Sequence, residues 1–283
     1  MNDTIRKAAV SGRFYPSRRE EIISLIGELE KQAVSLNEIA EEKILLGAVV
    51  PHAGYIYSAR HAIPFFRLLA RRKPAPETII VVCPNHYGER PDVALDANEW
   101  WETPLGKVQV DRDFYDFLDI PVSSQAHKRE HAAEVMLPLL QHYLNHPFSI
   151  LPVSIKEQTP PMAVSLAKML HQACLALQKE VVVIASSDFS HFVSPEGGQR
   201  RDDMVLERIL ARDTTGVYDV VQQHRVSVCG YGPVMTLMEM GSLALAHPEL
   251  KIISRGHSGE VSPSGQVVHY ITIVLLGDEK NQK

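Results

Sequence analysis

The chain has 283 residues, 45% of them hydrophobic and 22% charged, with a net charge of -5 when histidine is neutral. That is ordinary globular composition, ample for a large core, and it holds no basic cluster of the kind that binds nucleic acid. No apolar run approaches the ~20 residues that span a bilayer, and MNDTIRKAAV lacks the apolar core of a signal peptide, so a cytoplasmic protein with no membrane or nucleic-acid partner is expected.

From the N-terminus, SGRFYP reads as a loop and Ser17 as the cap of a helix running to Gln32, with Ile22, Ile26 and Leu29 at helical spacing. ILLGAVVP, from Ile44, is a strand buried on both faces, followed by a PHAGYIYS loop and a helix over 58–71. TIIVVCP, from Thr78, is a second such strand. Val93–Leu95 predicts an edge strand, WWETPLGKVQV a hairpin, 112–118 a short helix and 129–143 a helix. A strand over 148–153, a helix over 161–177 and a third buried strand from Val181 follow. A polar Gly-Gly loop then leads to helices over 199–211, 216–223 and 233–246, and strands at 250–254 and 267–275 close the chain. Strands alternating with helices predict one domain over residues 1–283: a three-layer α/β sandwich on a mixed, mainly parallel sheet.

Three of the buried strands deliver polar residues at their exits: His52 after Pro51, His86 after Pro84-Asn85, and Asp188 with His191 after Ser186-Ser187. Ligands bind beyond the carboxyl ends of strands in such sheets, so one convergent site is expected there. Neutral imidazole is a good divalent-metal ligand, and Asp188 with His191 would orient and deprotonate a substrate or complete a metal site, although Asp and Ser also serve as plain caps. His131 and Glu134, three apart on the predicted helix, would share one face and reach the site; an acidic first helical turn is the competing explanation. There are three cysteines, Cys83, Cys174 and Cys229, with no disulfide-like spacing. Cys83 and Cys174 read as small buried hydrophobes. Cys229 precedes a helix, where its thiol is either activated by a lowered pKa or simply buried.

SGRFYP, VPHAGYIYS, CPNHYG, ETPLGKVQVD, EHAAEVMLPLL, ILPVSI, SSDFSHF and VCGYGPV occur in that order and together resemble the Memo family. That family includes the Memo-like system protein B named with AMMECR-like and radical-SAM proteins, which the resemblance implies as partners. It is itself similar to class III extradiol dioxygenases, which use non-haem iron in an α/β fold. The resemblance implies a metal site at His52, His86 and Cys229, with Asp188 and His191 beside it. A thiolate instead of the carboxylate of the two-histidine, one-carboxylate set departs from those dioxygenases and suits copper or zinc as well as iron. The expected function is a non-haem metal redox protein, with iron, acting on a small molecule through Asp188, His191, His131 and Glu134. A peptide- or partner-binding module in the same cleft and a metal-assisted hydrolase are the alternatives.

Overall fold

The apolar runs that stop at polar turns form the middle of one sheet. In the computed structural model, which describes residues 4–35 and 43–280, the elements in chain order are β1 (Ile5–Arg6), α1 (Arg19–Glu30), β2 (Ile44–Val50), α2 (Tyr55–Arg71), β3 (Thr78–Pro84), β4 (Val93–Leu95), β5 (Trp100–Thr103) and β6 (Gly106–Val110). Then come α3 (Ser124–Lys128), α4 (Met136–Tyr143), β7 (Ser149–Ile155), α5 (Pro160–Leu177), β8 (Val181–Ser186), β9 (His191–Val193), α6 (Pro195–Leu210), α7 (Thr214–Gln223), α8 (Tyr231–Ala244), β10 (Leu245–His257) and β11 (Val267–Glu279). Short 3-10 turns lie at Arg112–Phe117 and Ser258–Glu260.

The strands run in the order β1-β5-β6-β7-β3-β8-β2-β11-β10, with β4 added on β7 and β9 on β11. The centre, β7-β3-β8-β2, is parallel, and β11 and β10 continue it antiparallel. Alternation along the central strands feeds two cores. Ile79, Val81, Val182 and Ile184 pack with α1, α2 and α4, whereas Ile80, Val82, Val183 and Ala185 pack with α5 to α8. This is the expected three-layer sandwich. Among the described residues no helix is long and apolar enough to cross a membrane.

β2 and β8 lie in register with Gly47 opposite Val183. A Cβ on Gly47 would strike the Val183 carbonyl oxygen and come within 2.9 Å of the Leu237 side chain. Both obstacles sit in packed structure. Gly47→Ala is therefore expected to cost about 3 kcal/mol, the upper end for overpacking. Denaturant unfolding measures it, and an unchanged midpoint would refute the tight β2–β8 approach.

Several boundaries differ from expectation, each for a local reason. The helix expected over 129–143 is only α4; α3 and a run of turns precede it. Pro138 favours this, because in a helix extending upstream its ring would press on the carbonyl of Glu134, whereas proline is tolerated in a first turn. The Gly-Gly loop is instead the first turn of α6, started by Pro195 and by Ser194, whose Oγ accepts from the Gly197 amide. α1 is entered through Arg18 without a side-chain cap, so Ser17 does not cap it. α2 begins at Tyr55, earlier than expected. On the hairpin Trp101 is fully buried, donating from Nε1 to Asp96 Oδ2 at 2.6 Å, and Trp100 is half-buried on the opposite face.

Candidate metal centre

β2, β3 and β8 are mutually parallel, so His52, His86 and the Asp188–His191 turn leave the sheet on one edge. Cys229 arrives from the other direction, just ahead of α8, whose N-cap is Gly230. Gly230 lies so close to the Ser186 carbonyl and the Ser187 side chain that a Cβ would clash with both. Its amide donates to Ser187 Oγ at 3.0 Å, and Gln158 Nε2, from the exit of β7, donates to the Cys229 carbonyl at 2.9 Å.

One ligand atom each from His52, His86 and Cys229 lies within 4.8 Å of the others. Cys229 Sγ is 3.2 Å from His52 Nε2 and accepts from the Asp188 amide at 3.1 Å. Asp188 Oδ1 accepts from the His52 amide at 2.8 Å, tying two of the strand exits together. His191 sits at the rim, its Nδ1 2.7 Å from the Ser227 carbonyl, which leaves Nε2 available. His131 is held by Phe14, with ring centroids 4.6 Å apart, and stacks on His86 at 4.6 Å and 23°.

The sequence profile described as Memo-like protein matches residues 6–274. The chain belongs to the Memo family. It is similar to a MEMO1 family protein of Methanosarcina mazei, 38% identical over 275 residues that cover 96% of this chain and 99% of that one. It is likewise similar to one of Pyrobaculum arsenaticum, 34% identical over 282 residues covering 96% and 99%. Among solved structures, an uncharacterized protein of Escherichia coli K12 matches with a TM-score of 0.49 and 13% identity over 75% of this chain and 91% of that one.

In this Memo-family chain the tautomer of His52 follows from its neighbours. Ser186 Oγ donates its single hydrogen to the Ala132 carbonyl at 2.7 Å, so at 2.8 Å it can only accept from His52 Nδ1. The Nε2 lone pair then faces Cys229. Burial pushes the pKa of His52 well down, and His86, His131 and His191 add to the effect, so the ring is held neutral. On His86, Nδ1 meets Glu130 Oε1 at 2.9 Å, leaving Nε2 for a ligand. Orienting partners of this kind are the usual support of metal-binding histidines. Two imidazoles and a thiol at this spacing fit a transition-metal ion.

Of the two readings of Cys229, an activated thiol and a simply buried one, the surroundings favour the second. Burial pushes the thiol well up and Asp188 adds to it, outweighing the hydrogen bonds that favour thiolate. Deprotonation of this sulfur would come from an ion, not from the helix. Burial likewise raises Asp188 to about 6 against the pull of His191 and the His52 amide, and lowers His131 to about 4 despite Glu130.

Glu134 needs correction. Its carboxylate accepts from Arg6 Nη1 at 2.6 Å, the Ala9 and Val10 amides at 2.8 and 3.0 Å, and Tyr15 Oη at 2.6 Å. Residues 132–135 form turns rather than a helix, and the Glu134 carboxylate is taken up by the N-terminal segment. The glutamate that reaches the histidines is Glu130, fully buried, which also accepts from the His86 and Ala132 amides at 2.7 and 2.9 Å. Burial opposes its ionisation, but the hydrogen bond and charge of His86 outweigh that and leave its pKa below the ordinary value.

Ser186→Ala removes the group that fixes the His52 tautomer. It is expected to weaken metal binding about 10- to 100-fold, and leaving the buried His52 Nδ1–H without its acceptor should cost about 1–3 kcal/mol of stability. Calorimetric titration with Zn(II) reads it, and wild-type affinity would show that Ser186 does not orient His52.

Proposed function

We propose that this Memo-family chain is a non-haem metal-dependent oxidoreductase, working as one domain on a small-molecule substrate, with an iron ion held by His52, His86 and Cys229. The observation that carries the reading is the 3.2 Å approach of Cys229 Sγ to the lone-pair side of His52, next to the free nitrogen of His86. A bound iron would supply redox and Lewis-acid chemistry at that point; copper and zinc suit the same donors. Asp188 holds Cys229 and His52 in place through its backbone and carboxylate. With a pKa pushed up to about 6, its carboxyl is placed to exchange a proton near neutrality. His191, half-exposed at the rim, would bind a substrate through Nε2. His131 is kept neutral and contributes a ring wall with Phe14.

The test is metal analysis of protein purified without oxygen, then oxygen uptake with a panel of small phenols and acids. Stoichiometric iron, and uptake that chelation and Cys229→Ser both abolish, are expected. Turnover without oxygen uptake would replace this reading with hydrolysis. Peptide binding indifferent to chelation would replace it with a partner-binding module.

A further inference from the structure

We propose that His86, Glu130 and His131 form a second divalent-cation site, overlapping the first through His86 and preferred by hard ions such as Mn(II). One ligand atom from each lies within 4.8 Å of the others. His86 Nδ1 and His131 Nδ1 stand 2.9 and 3.5 Å from the same oxygen, Glu130 Oε1. Bonds of ~2.0–2.2 Å meeting at angles between about 90° and 109° put donor atoms roughly 2.9–3.5 Å apart, so the two distances to Glu130 already match those around an ion, and a turn of the stacked rings would aim both imidazoles at it. Two histidines and one carboxylate are also the donors that suit Fe(II) and Mn(II), whereas the thiolate of Cys229 favours softer ions.

Charge argues the same way. Glu130 is fully buried, and among the described residues its carboxylate contacts His86, His131 and backbone amides, with no lysine or arginine on it. A buried carboxylate whose side-chain partners are only imidazoles carries a desolvation cost that a divalent ion would offset. Its two oxygens offer about four acceptor positions, and the three hydrogen bonds it accepts leave room for an ion that replaces the Nδ1 hydrogen of His86. That hydrogen leaves to solvent as the ion enters.

A neutral imidazole has one lone pair. With Nδ1–H on Glu130, His86 serves the thiolate set through Nε2; with Nε2–H, it serves Glu130 and His131 through Nδ1. The two sets therefore compete, and a chain holds one ion through His86 at a time. This competition rests on the reading of His52, His86 and Cys229 as the first site.

Titration of the metal-free full chain with Mn(II), followed by electron paramagnetic resonance of free Mn(II), tests the proposal. One Mn(II) per chain is expected, retained in Cys229→Ala and weakened at least tenfold in both Glu130→Gln and His131→Asn. One equivalent of Co(II), bound with a sulfur-to-cobalt charge-transfer band, should expel the Mn(II). Circular dichroism melts check each variant, and the wild-type and Cys229→Ala arms decide even if a Glu130 variant misfolds. No Mn(II) binding, equal binding by both the Glu130 and His131 variants, or loss with Cys229→Ala would overturn the proposal. A cobalt band that is absent, or that persists in Cys229→Ala, would instead overturn the first site and leave the Mn(II) result standing.

Discussion

Replacing His52 and His86 together by alanine is expected to lower affinity for Fe(II), Cu(I) and Zn(II) by more than about 100-fold. Loss of a single orienting partner costs 10- to 100-fold in other metal sites, and here two ligands disappear. The fold should survive. The His86 side chain is partly exposed, Glu130 keeps the backbone amides of residues 86 and 132, and Ser186 Oγ stays bonded to the Ala132 carbonyl, so each replacement costs about 1–3 kcal/mol. Anaerobic calorimetry on wild type and double mutant measures the difference. Equal affinity for every metal would make both residues structural.

The second large effect is expected at Arg6. Its guanidinium is buried, pairs with Glu134 at 2.6 Å, donates to the carbonyls of His127 and Glu130 at 2.7 and 2.6 Å, and lies 4.0 Å over the Trp101 ring. Arg6→Ala leaves the buried Glu134 carboxylate without its cation and frees the turn that presents Glu130. A cost of about 3–5 kcal/mol is expected, the range for breaking a buried pair, or roughly 10 °C in melting temperature. Thermal denaturation checks it. A loss under about 1 kcal/mol would show that Tyr15 and the Ala9 and Val10 amides suffice for Glu134.

The central strands were legible because they are unbroken apolar runs ending at polar turns, and their parallel order placed His52, His86 and Asp188 on one edge. Cys229 was different. Nothing in its spacing singled it out from a buried cysteine, and its choice came from resemblance to a family. Glu130 was hidden by reading 129–143 as one helix, although Pro138 weighed against extending it back through Glu134. The supporting residues left no trace of the same kind. Ser186 looked like a cap, Gln158 was a lone amide after a strand, and Arg6 lay in a strand of two residues, too short for any periodicity. Their roles depend on hydrogen bonds between segments distant in sequence, which local pattern does not encode.

His52 and Cys229 stand 177 positions apart, with His86 between them. An ion gripping all three would be a clasp across most of the chain, closing loops that an unfolded chain leaves open. Because only the folded form assembles the clasp, ion supply would set how long the molecule lasts: at free ion a hundred times Kd the added protection is about 2.7 kcal/mol. Starvation for the ion would then act on abundance as well as on chemistry, by handing proteases a chain that opens more often.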